Sequence, residues 1–346
     1  MSPPPVPKRI SQRLGELRLW YDGSMEAMTS YNEQKLSYQE QIDRLKYYGV
    51  NFEAVSEDEA IRFLTNNTYY AKIRNYLSAF EKYQEPERSH FCCHVDFVHL
   101  MSLSRLDFHL RKLIISLSLD LEHTMKTLFI QHLTNDPTCD GYQMVGQYFD
   151  ANELSRMVVE GKKSAYTNEI ADRFDREENI WNLIELLSFS GFMRLLEKYS
   201  SDHDDVFQFD HGLLRCARYL RNAAAHNNCL LHTLNLKSSS QVFRSSKDLG
   251  LTLANTLRVK SKHRKRILSI PVYHDLAASW FLLAYRASPG ITYHRLTEFQ
   301  KFFDYFASLK DQFQQQLHIC VQIEDMRFLL RSIQDYATRR QGWEEK

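Results

Sequence analysis

The sequence predicts an all-α protein that folds as a helical bundle. Leucines in residues 97–130 recur every three or four positions, which is the period of a helix with one buried face. Four of the eight prolines lie within the first seven residues and the 11 glycines are scattered, so little interrupts helix formation elsewhere. With 346 residues, 43% of them hydrophobic, the chain is long enough to bury a substantial core.

The same patterns divide the chain into three parts. Residues 1–30, which begin with a cluster of prolines, are expected to form a mobile N-terminal arm. Residues 31–90 are expected to form an N-terminal helical region. Residues 91–346 are expected to form the main helical domain, with a basic insertion at 237–266 between a motif helix and the C-terminal helices.

The strongest predicted helix spans residues 97–130, which contain neither glycine nor proline. Its apolar stripe contains Leu103, Leu106, Leu110, Leu113, Leu117 and Leu121. Asp107 and Arg111 are four residues apart in this helix, a spacing at which a salt bridge can form on one side. The pattern at 97–130 is therefore the clearest helix prediction in the chain.

Four further helices complete the predicted bundle. They are expected from about Asn179 to Tyr199, from near His211 onward, at 273–285 and at 293–335, with Ser288-Pro289-Gly290 as a turn between the last two. The buried side of the helix that begins near His211 is predicted to contain Leu213, Ala217, Leu220, Ala224 and Leu231.

The most informative candidate site lies on that helix. Arg221 and Asn222 precede His226 in a stretch that is otherwise apolar, where polar groups are costly unless they bind something. An arginine can hold a phosphate with its planar, permanently charged fork, and a histidine can transfer a proton near neutral pH. Arg221, Asn222 and His226 are therefore the candidate catalytic residues for phosphodiester chemistry.

Spacing alone does not single out this motif. With 14 histidines in the chain, roughly three Arg-x(4–6)-His matches arise by chance. The matches present are Arg88…His94, Arg221…His226 and Arg258…His263. Only the second has an adjacent asparagine, a row of alanines and a helical setting. From the residues alone, the alternative is that His226 is a core histidine and that the alanines pack internally.

A basic segment follows the motif helix. Residues 237–266 carry nine basic side chains and a single acid, although the net charge of the chain is only +1. Such local concentration of charge predicts contact with a polyanion, and the alternative is a solvated loop, given the nearby serines. The residues that would contact the polyanion are Lys237, Arg244, Lys247, Arg258, Lys260, Lys262, Arg264, Lys265 and Arg266.

Several classes of protein are disfavoured. The six cysteines lack the spacing of a disulfide framework, the amino terminus lacks a signal peptide, and no run approaches the roughly 18 apolar residues that span a bilayer. We therefore expect a cytoplasmic protein without membrane contact. The cluster His90, Cys92, Cys93, His94 and His99 suits zinc poorly because its cysteines are adjacent, so no metal and no cofactor are predicted.

Four segments together carry a resemblance to a known family. They are residues 106–111 (Leu-Asp-Phe-His-Leu-Arg), Leu121-Glu122, residues 181–191 (Trp-Asn-Leu-Ile-Glu-Leu-Leu-Ser-Phe-Ser-Gly) and Arg221-Asn222-Ala-Ala-Ala-His226. In combination they resemble the abortive-infection Abi-like proteins of the AbiD/AbiF type. Those proteins belong to the HEPN superfamily (higher eukaryotes and prokaryotes nucleotide-binding), and the resemblance covers roughly residues 35–235.

The resemblance implies a HEPN-type helical bundle, an endoribonuclease site at the Arg-Asn-x-x-x-His motif and a role in defence against phage. It also implies a structured small RNA as a partner, which the basic segment would suit. The chain departs from many relatives, which follow the motif histidine with a second His, an Arg and an Asn. Here Asn227, Cys229 and His232 take those places, and Asn228 replaces the tyrosine at which some HEPN toxins are adenylylated.

The predicted mechanism is a metal-independent attack of the RNA 2′-OH on the adjacent phosphate. His226 would transfer protons, and Arg221 would stabilise the phosphoryl oxygens. Asn222 would orient either the phosphate or the imidazole. Asn222 and His226 share a helix face, whereas Arg221 and His226 are about 140° apart around an ideal helix. The side chains converge more easily between two copies of the motif or on a distorted helix, so we predict a homodimer with a composite site.

Two hypotheses of function result. The first is a toxin-like endoribonuclease whose activity is regulated by a bound structured small RNA. The alternative is a non-catalytic RNA-binding protein that acts as a ribonucleoprotein scaffold through the basic segment. Removal of the motif side chains distinguishes the two, because only the first hypothesis requires them for RNA cleavage.

Overall fold

The computed structural model describes residues 35–203, 207–235, 249–251, 253–254 and 261–341. Within these residues the chain forms fourteen α-helices and one two-stranded parallel sheet, which confirms the predicted all-α class. The predicted mobile arm at 1–30 lies outside the described residues, and so does much of the basic insertion.

The first half of the chain contains seven of these helices and both strands. The helices are α1 (Tyr38–Tyr47), α2 (Glu57–Asn66), α3 (Tyr70–Asn75), α4 (Phe97–Asn135), α5 (Gln143–Tyr148), α6 (Ala151–Lys162) and α7 (Asn168–Arg176). The strands are β1 (Val50–Asn51) and β2 (Val95–Asp96), with Val50 opposite Val95. A 3₁₀ turn at Tyr76–Ala79 follows α3.

The second half contains the other seven helices. They are α8 (Ile180–Leu186), α9 (Phe189–Asp202), α10 (Gln208–Ala225), α11 (Ser261–Leu268), α12 (Pro271–Arg286), α13 (Pro289–Leu309) and α14 (Leu317–Gln341). A 3₁₀ turn at Leu231–Asn235 follows α10, and another at Lys310–Phe313 follows α13.

The helix predicted at 97–130 is α4, and it begins at the predicted residue. The Asp96 carboxylate accepts a hydrogen bond from the Val98 N–H at 3.0 Å, and His99 Nδ1 accepts one from the Asp96 N–H at 2.9 Å. This reciprocal capping satisfies N–H groups that the first turn leaves unpaired. The leucines of the predicted stripe are all buried, and the helix continues to Asn135.

The centre of the molecule consists of α4, α10 and α12, each of which packs against the other two. The side chains of α12 are buried on nearly every face, as expected for a helix enclosed by others. Its fully buried Trp280 donates a hydrogen bond from Nε1 to the Leu330 carbonyl of α14 at 3.0 Å. α13 packs along α4. In the described part of the chain, no helix is long and apolar enough to cross a bilayer.

The predicted helix from Asn179 to Tyr199 is wrong as a single element, because it is interrupted at Leu187. Leu187 has an extended backbone (φ −71°, ψ 133°), and Ser188 caps a new helix by accepting the Gly191 N–H on its Oγ at 3.2 Å. Serine favours such a cap because its hydroxyl satisfies an unpaired N–H group of the first turn. The result is a break between α8 and α9 at Leu187.

The predicted helix at 293–335 is likewise two helices, α13 and α14, joined by a 3₁₀ turn. The buried Gln316 explains the break, since its amide donates hydrogen bonds to the carbonyls of Cys93 and His94 at 2.9 and 2.8 Å. A tertiary contact therefore overrides the helical pattern here. The predicted turn before α13 is confirmed, with Ser288 at the N-cap and Pro289 in the first turn.

Candidate active site

The motif helix α10 ends within the motif itself. Its inner face buries Leu213, Leu214, Ala217, Leu220 and Ala224 against the bundle. His226 is the C-cap residue, and the predicted continuation of the buried face to Leu231 is wrong, because Leu231 lies in the following 3₁₀ turn. The alternative of a core histidine is also wrong, because the His226 side chain is exposed.

The helix end is a Schellman motif. The N–H of Asn228 donates to the Ala223 carbonyl at 2.9 Å, and the N–H of Asn227 donates to the Ala224 carbonyl at 3.1 Å. Asn227 has the left-handed conformation that this motif requires, with φ at 57°. Asparagine is among the few residues other than glycine that adopt this conformation readily. The chain thus turns away directly after His226 and leaves its imidazole at a helix terminus.

Arg221 and Asn222 lie one turn before this end, and both side chains are half-buried. The Arg221 guanidinium donates from Nη1 to Asn222 Oδ1 at 3.1 Å. The His226 N–H donates to the Asn222 carbonyl at 2.9 Å, which places these two residues one above the other, as predicted. The Arg221 guanidinium is thus directed toward Asn222, which lies one turn before His226 on the same helix face.

A buried ion pair on α4 holds the segment that follows the motif. Asp107 and Arg111 form the predicted i,i+4 pair, and both are almost completely buried rather than placed on the helix surface. The Asp107 carboxylate also accepts hydrogen bonds from the Tyr76 hydroxyl at 2.5 Å and from the N–H groups of Leu230 and Leu231 at 3.1 and 3.2 Å. Burial raises the pKa of Asp107, whereas the charge of Arg111 and these donors oppose that increase.

Arg111 extends the same network to the Schellman motif. Its Nη1 donates to the carbonyl of Asn228 at 3.4 Å in addition to the Asp107 carboxylate. The backbone from Asn228 to Leu231 is thus bound to side chains of α4. The position of His226 therefore depends on two residues more than a hundred positions earlier in the sequence.

Two residues at the places where many relatives carry other motif side chains are structural here. The buried Cys229 donates from Sγ to the Lys72 carbonyl at 3.5 Å. His232 Nδ1 bonds the Cys229 carbonyl, and the His232 carbonyl accepts a hydrogen bond from Ser78 Oγ at 3.0 Å. Burial lowers the pKa of His232, so its imidazole is held neutral inside the fold. This histidine supports the backbone.

Most of the predicted RNA-binding residues lie outside the residues that the structure describes. Lys237, Arg244, Lys247, Arg258 and Lys260 lie outside the described residues, as do the side chains of Lys262 and Arg266. Arg264 is half-buried and Lys265 is exposed on α11, which packs against α12 and α14. Contact between this segment and RNA therefore stays a prediction.

Sequence reasoning missed a set of basic residues on α10. His211, Arg215 and Arg218 precede Asn222 at intervals of three or four residues, so all four share one helix face. The side chains of His211, Arg215 and Arg218 line a cleft of about 800 Å³ between α10, α6 and α9. The spacing that revealed the buried face of α10 would also have revealed this outward polar stripe.

Two other clusters in the described residues have the chemistry of metal ligands. Asp136, Cys139 and His203 form one, in which His203 Nε2 is 3.6 Å from the Asp136 carboxylate. The other consists of Cys216, His274 and Asp275, with His274 Nδ1 2.9 Å from the Asp275 carboxylate. Burial raises the pKa of Cys216 to about 12, so at neutral pH this thiol is protonated in the metal-free protein.

The fold and the site define an all-α protein with a polar Arg-Asn-x-x-x-His motif exposed at a helix terminus. Residues 62–232, just under half of the chain, match the profile of the Abi-like protein family, which supports assignment of the chain to this family. No curated protein and no solved structure matches the chain significantly. The Abi-like assignment suggests a role in abortive infection.

The matched region coincides with the candidate site. It includes the buried pair of α4, the whole of α10 and the backbone that follows, up to His232. It ends before α12, which packs against both α4 and α10. The C-terminal helices therefore complete the core around the family region in this chain.

Proposed function

We propose that the protein is a HEPN-type endoribonuclease that acts in abortive infection. The observation that carries this proposal is the geometry of the motif: an arginine and an asparagine bonded to each other lie one helical turn from an exposed histidine. These are the groups that bind a phosphate and move a proton. The buried Asp107–Arg111 pair supplies the rigid support that a catalytic constellation needs.

The proposed reaction uses the nucleophile of the RNA itself. The 2′-oxygen forms a bond to the adjacent phosphorus, and the bond from phosphorus to the 5′-oxygen breaks, which leaves a 2′,3′-cyclic phosphate and a 5′-hydroxyl. One imidazole accepts the 2′-OH proton, and an acid gives a proton to the departing 5′-oxygen. Arg221 stabilises the charge that grows on the phosphoryl oxygens, and Asn222 holds Arg221 in place.

The proposal includes a homodimer with a composite site. A single copy presents one exposed histidine at the motif, whereas the reaction needs both a base and an acid. A two-fold axis beside the end of α10 would bring the second His226 to the same phosphate. The exposed Ala225, next to His226, is small enough to permit such an approach.

A second candidate function is non-catalytic binding of RNA, with a structured small RNA as the regulator or scaffold partner. The outward stripe of His211, Arg215 and Arg218 favours RNA binding whether or not cleavage follows. The two functions predict different effects of motif substitutions, so a cleavage assay distinguishes them.

The test compares purified wild-type protein with His226→Ala, Arg221→Ala and Asn222→Ala on labelled RNA. We expect His226→Ala to reduce kcat by about 10²–10⁴-fold, because it removes the proton-transfer group. Arg221→Ala is expected to reduce kcat by about 10²–10³-fold through loss of charge stabilisation. The matched control is His294→Ala on α13, an exposed histidine far along the chain from the motif.

Products of the wild-type protein should end in a 2′,3′-cyclic phosphate, which resists phosphatase until acid opens the ring. Expression of the wild type should arrest growth, and expression of His226→Ala should not. Cleavage by His226→Ala at the wild-type rate would refute the endoribonuclease proposal. RNA binding without any cleavage by the wild type would favour the second candidate function.

A further inference from the structure

A cleft of about 800 Å³ lies beside the motif helix, outside the motif itself. One wall is the outward face of α10, and the opposite wall is α6, which packs closely on α7 at Gly161. A Cβ at Gly161 would lie 2.9 Å from the Ala171 Cβ, so glycine is needed for this approach. The junction between α8 and α9 also lines the cleft, through Ser188 and Gly191.

Three of the arginines that line the cleft have no acidic partner among the described residues. Four arginines and three glutamates line it, but Arg194 is paired with Glu153, and Glu160 binds Lys163, which is outside the cleft. Arg156, Arg215 and Arg218 form no ion pair with any carboxylate of the described residues. The remaining acid is Glu197.

Two of these three arginines lie on the motif helix, shortly before the motif. Arg215 and Arg218 lie on the face of α10 that carries Asn222, and Arg218 is four residues, or about 6 Å along the helix axis, before Asn222. The Arg218 guanidinium also rests 5.2 Å from the ring centre of Tyr219, which is more than half exposed. Basic and polar side chains thus continue in a row from the cleft toward the exposed end of the helix.

The cleft also has an apolar component. Met157, Leu186 and Met193 line it and are only partly buried by the core behind them. A ligand that fits must therefore present negative charge to the arginines and flat apolar surface to these side chains. Single-stranded RNA has both, because its unstacked bases are available for contact, whereas a duplex presents its backbone outward and hides the base faces.

We infer that this cleft binds the single-stranded RNA that continues from the scissile phosphate. Arg156, Arg215 and Arg218 bind phosphates of the strand, and the apolar side chains contact its bases. The inference rests on the proposed function for the identity of the ligand. It assigns this RNA contact to residues of the helical core, and contact between RNA and the basic segment at 237–266 is a separate prediction.

The experiment measures binding of a fluorescent single-stranded RNA to Arg215→Ala/Arg218→Ala across a series of salt concentrations. We expect about tenfold weaker binding, and a slope of log Kd against log salt that is smaller by about 1.4, since each lost phosphate contact on a single strand removes about 0.7. The matched control is Arg173→Ala/Arg176→Ala on α7, which removes the same charge outside the cleft and should change neither quantity.

A second variant separates binding from folding. Arg215→Lys/Arg218→Lys keeps the charge and should retain the salt slope, while thermal unfolding reports whether each variant folds. Equal affinity and equal slope for Arg215→Ala/Arg218→Ala and its control would overturn the inference. A duplex of the same sequence that binds as tightly, with the same dependence on these arginines, would also overturn it.

Cleavage assays distinguish failure of the inference from failure of the proposed function. If both are correct, Arg215→Ala/Arg218→Ala raises KM about tenfold and leaves kcat at saturating RNA within about twofold of wild type. If KM is unchanged in Arg215→Ala/Arg218→Ala and cleavage still requires His226, the inference on the cleft is refuted and the endoribonuclease proposal stands. If RNA binding depends on these arginines but His226→Ala cleaves RNA at the wild-type rate, the inference on the cleft stands and the proposed active site is refuted.

Discussion

The carboxylate of Asp107 accepts a hydrogen bond from the backbone N–H of Leu230 at 3.1 Å. The two residues are 123 positions apart in the chain, and this bond fixes the backbone immediately after the motif. The side chain of Asp107 is fully buried and also carries the charge that balances Arg111. A single carboxylate on α4 therefore joins the stability of the core to the position of the candidate site.

Asp107→Asn should be strongly destabilising. The amide keeps the shape of the side chain but leaves the buried Arg111 without a counter-charge, which costs about 3–5 kcal/mol in comparable buried pairs. Urea unfolding measures the loss. Glu169→Gln is the control, because Glu169 and Arg173 form an exposed i,i+4 pair on α7, and its loss should cost less than about 1 kcal/mol. Equal losses for the two variants would refute the role of Asp107.

The backbone conformation of Asn227 gives a second prediction. Asn227→Gly should keep or slightly raise stability, since glycine adopts a positive φ without strain. Asn227→Val should cost about 1–2 kcal/mol, because a side chain with a Cβ branch resists this conformation. If the Schellman motif positions His226, Asn227→Val should also reduce RNA cleavage more than its effect on unfolding explains. Normal activity and stability in Asn227→Val would show that the turn is not required.

The sequence predicted those elements that depend on local pattern. The leucine stripe placed α4 correctly from its first residue, and Pro289 marked the start of α13. The breaks at Leu187 and Gln316 were missed because they depend on a serine cap and on bonds to carbonyls more than 200 positions away. Hydrophobic period alone contains no information on such contacts.

The candidate site shows the same division. The spacing of Asn222 and His226 correctly predicted that they are neighbours along one face. The spacing of Asp107 and Arg111 predicted their pairing but not their burial, because the backbone donors that accompany them come from a distant segment. The end of α10 at His226 depends on the left-handed Asn227, a feature that an asparagine permits but does not demand.

The stability of the fold should decrease in mild acid. Burial lowers the pKa of both His99 and His232, so the unfolded chain binds protons more readily than the folded one. The stabilising contribution is complete above the ordinary histidine pKa of about 6.5 and is lost as pH falls below it toward the folded values. Urea unfolding between pH 8 and pH 5 measures this dependence.

A substitution at His99 tests the cause of the acid effect. His99 Nδ1 accepts the Asp96 N–H, which requires an unprotonated nitrogen. His99→Gln retains an acceptor at this capping position and does not titrate, so its stability should fall less steeply with acid than that of the wild type. His294→Gln, at an exposed site, should leave the steepness unchanged. Identical pH profiles for His99→Gln and the wild type would exclude His99 as a source.

A composite site predicts that an inactive copy inhibits an active copy with which it forms a mixed dimer. If each phosphate needs His226 from both copies, a mixed dimer of wild type and His226→Ala contains no complete site. Addition of excess His226→Ala should therefore reduce wild-type RNA cleavage in proportion to the loss of wild-type homodimer, while excess His294→Ala should not. Light scattering during gel filtration measures the dimer directly. Additive activity, or a monomer at assay concentrations, would show that one copy of the motif is sufficient.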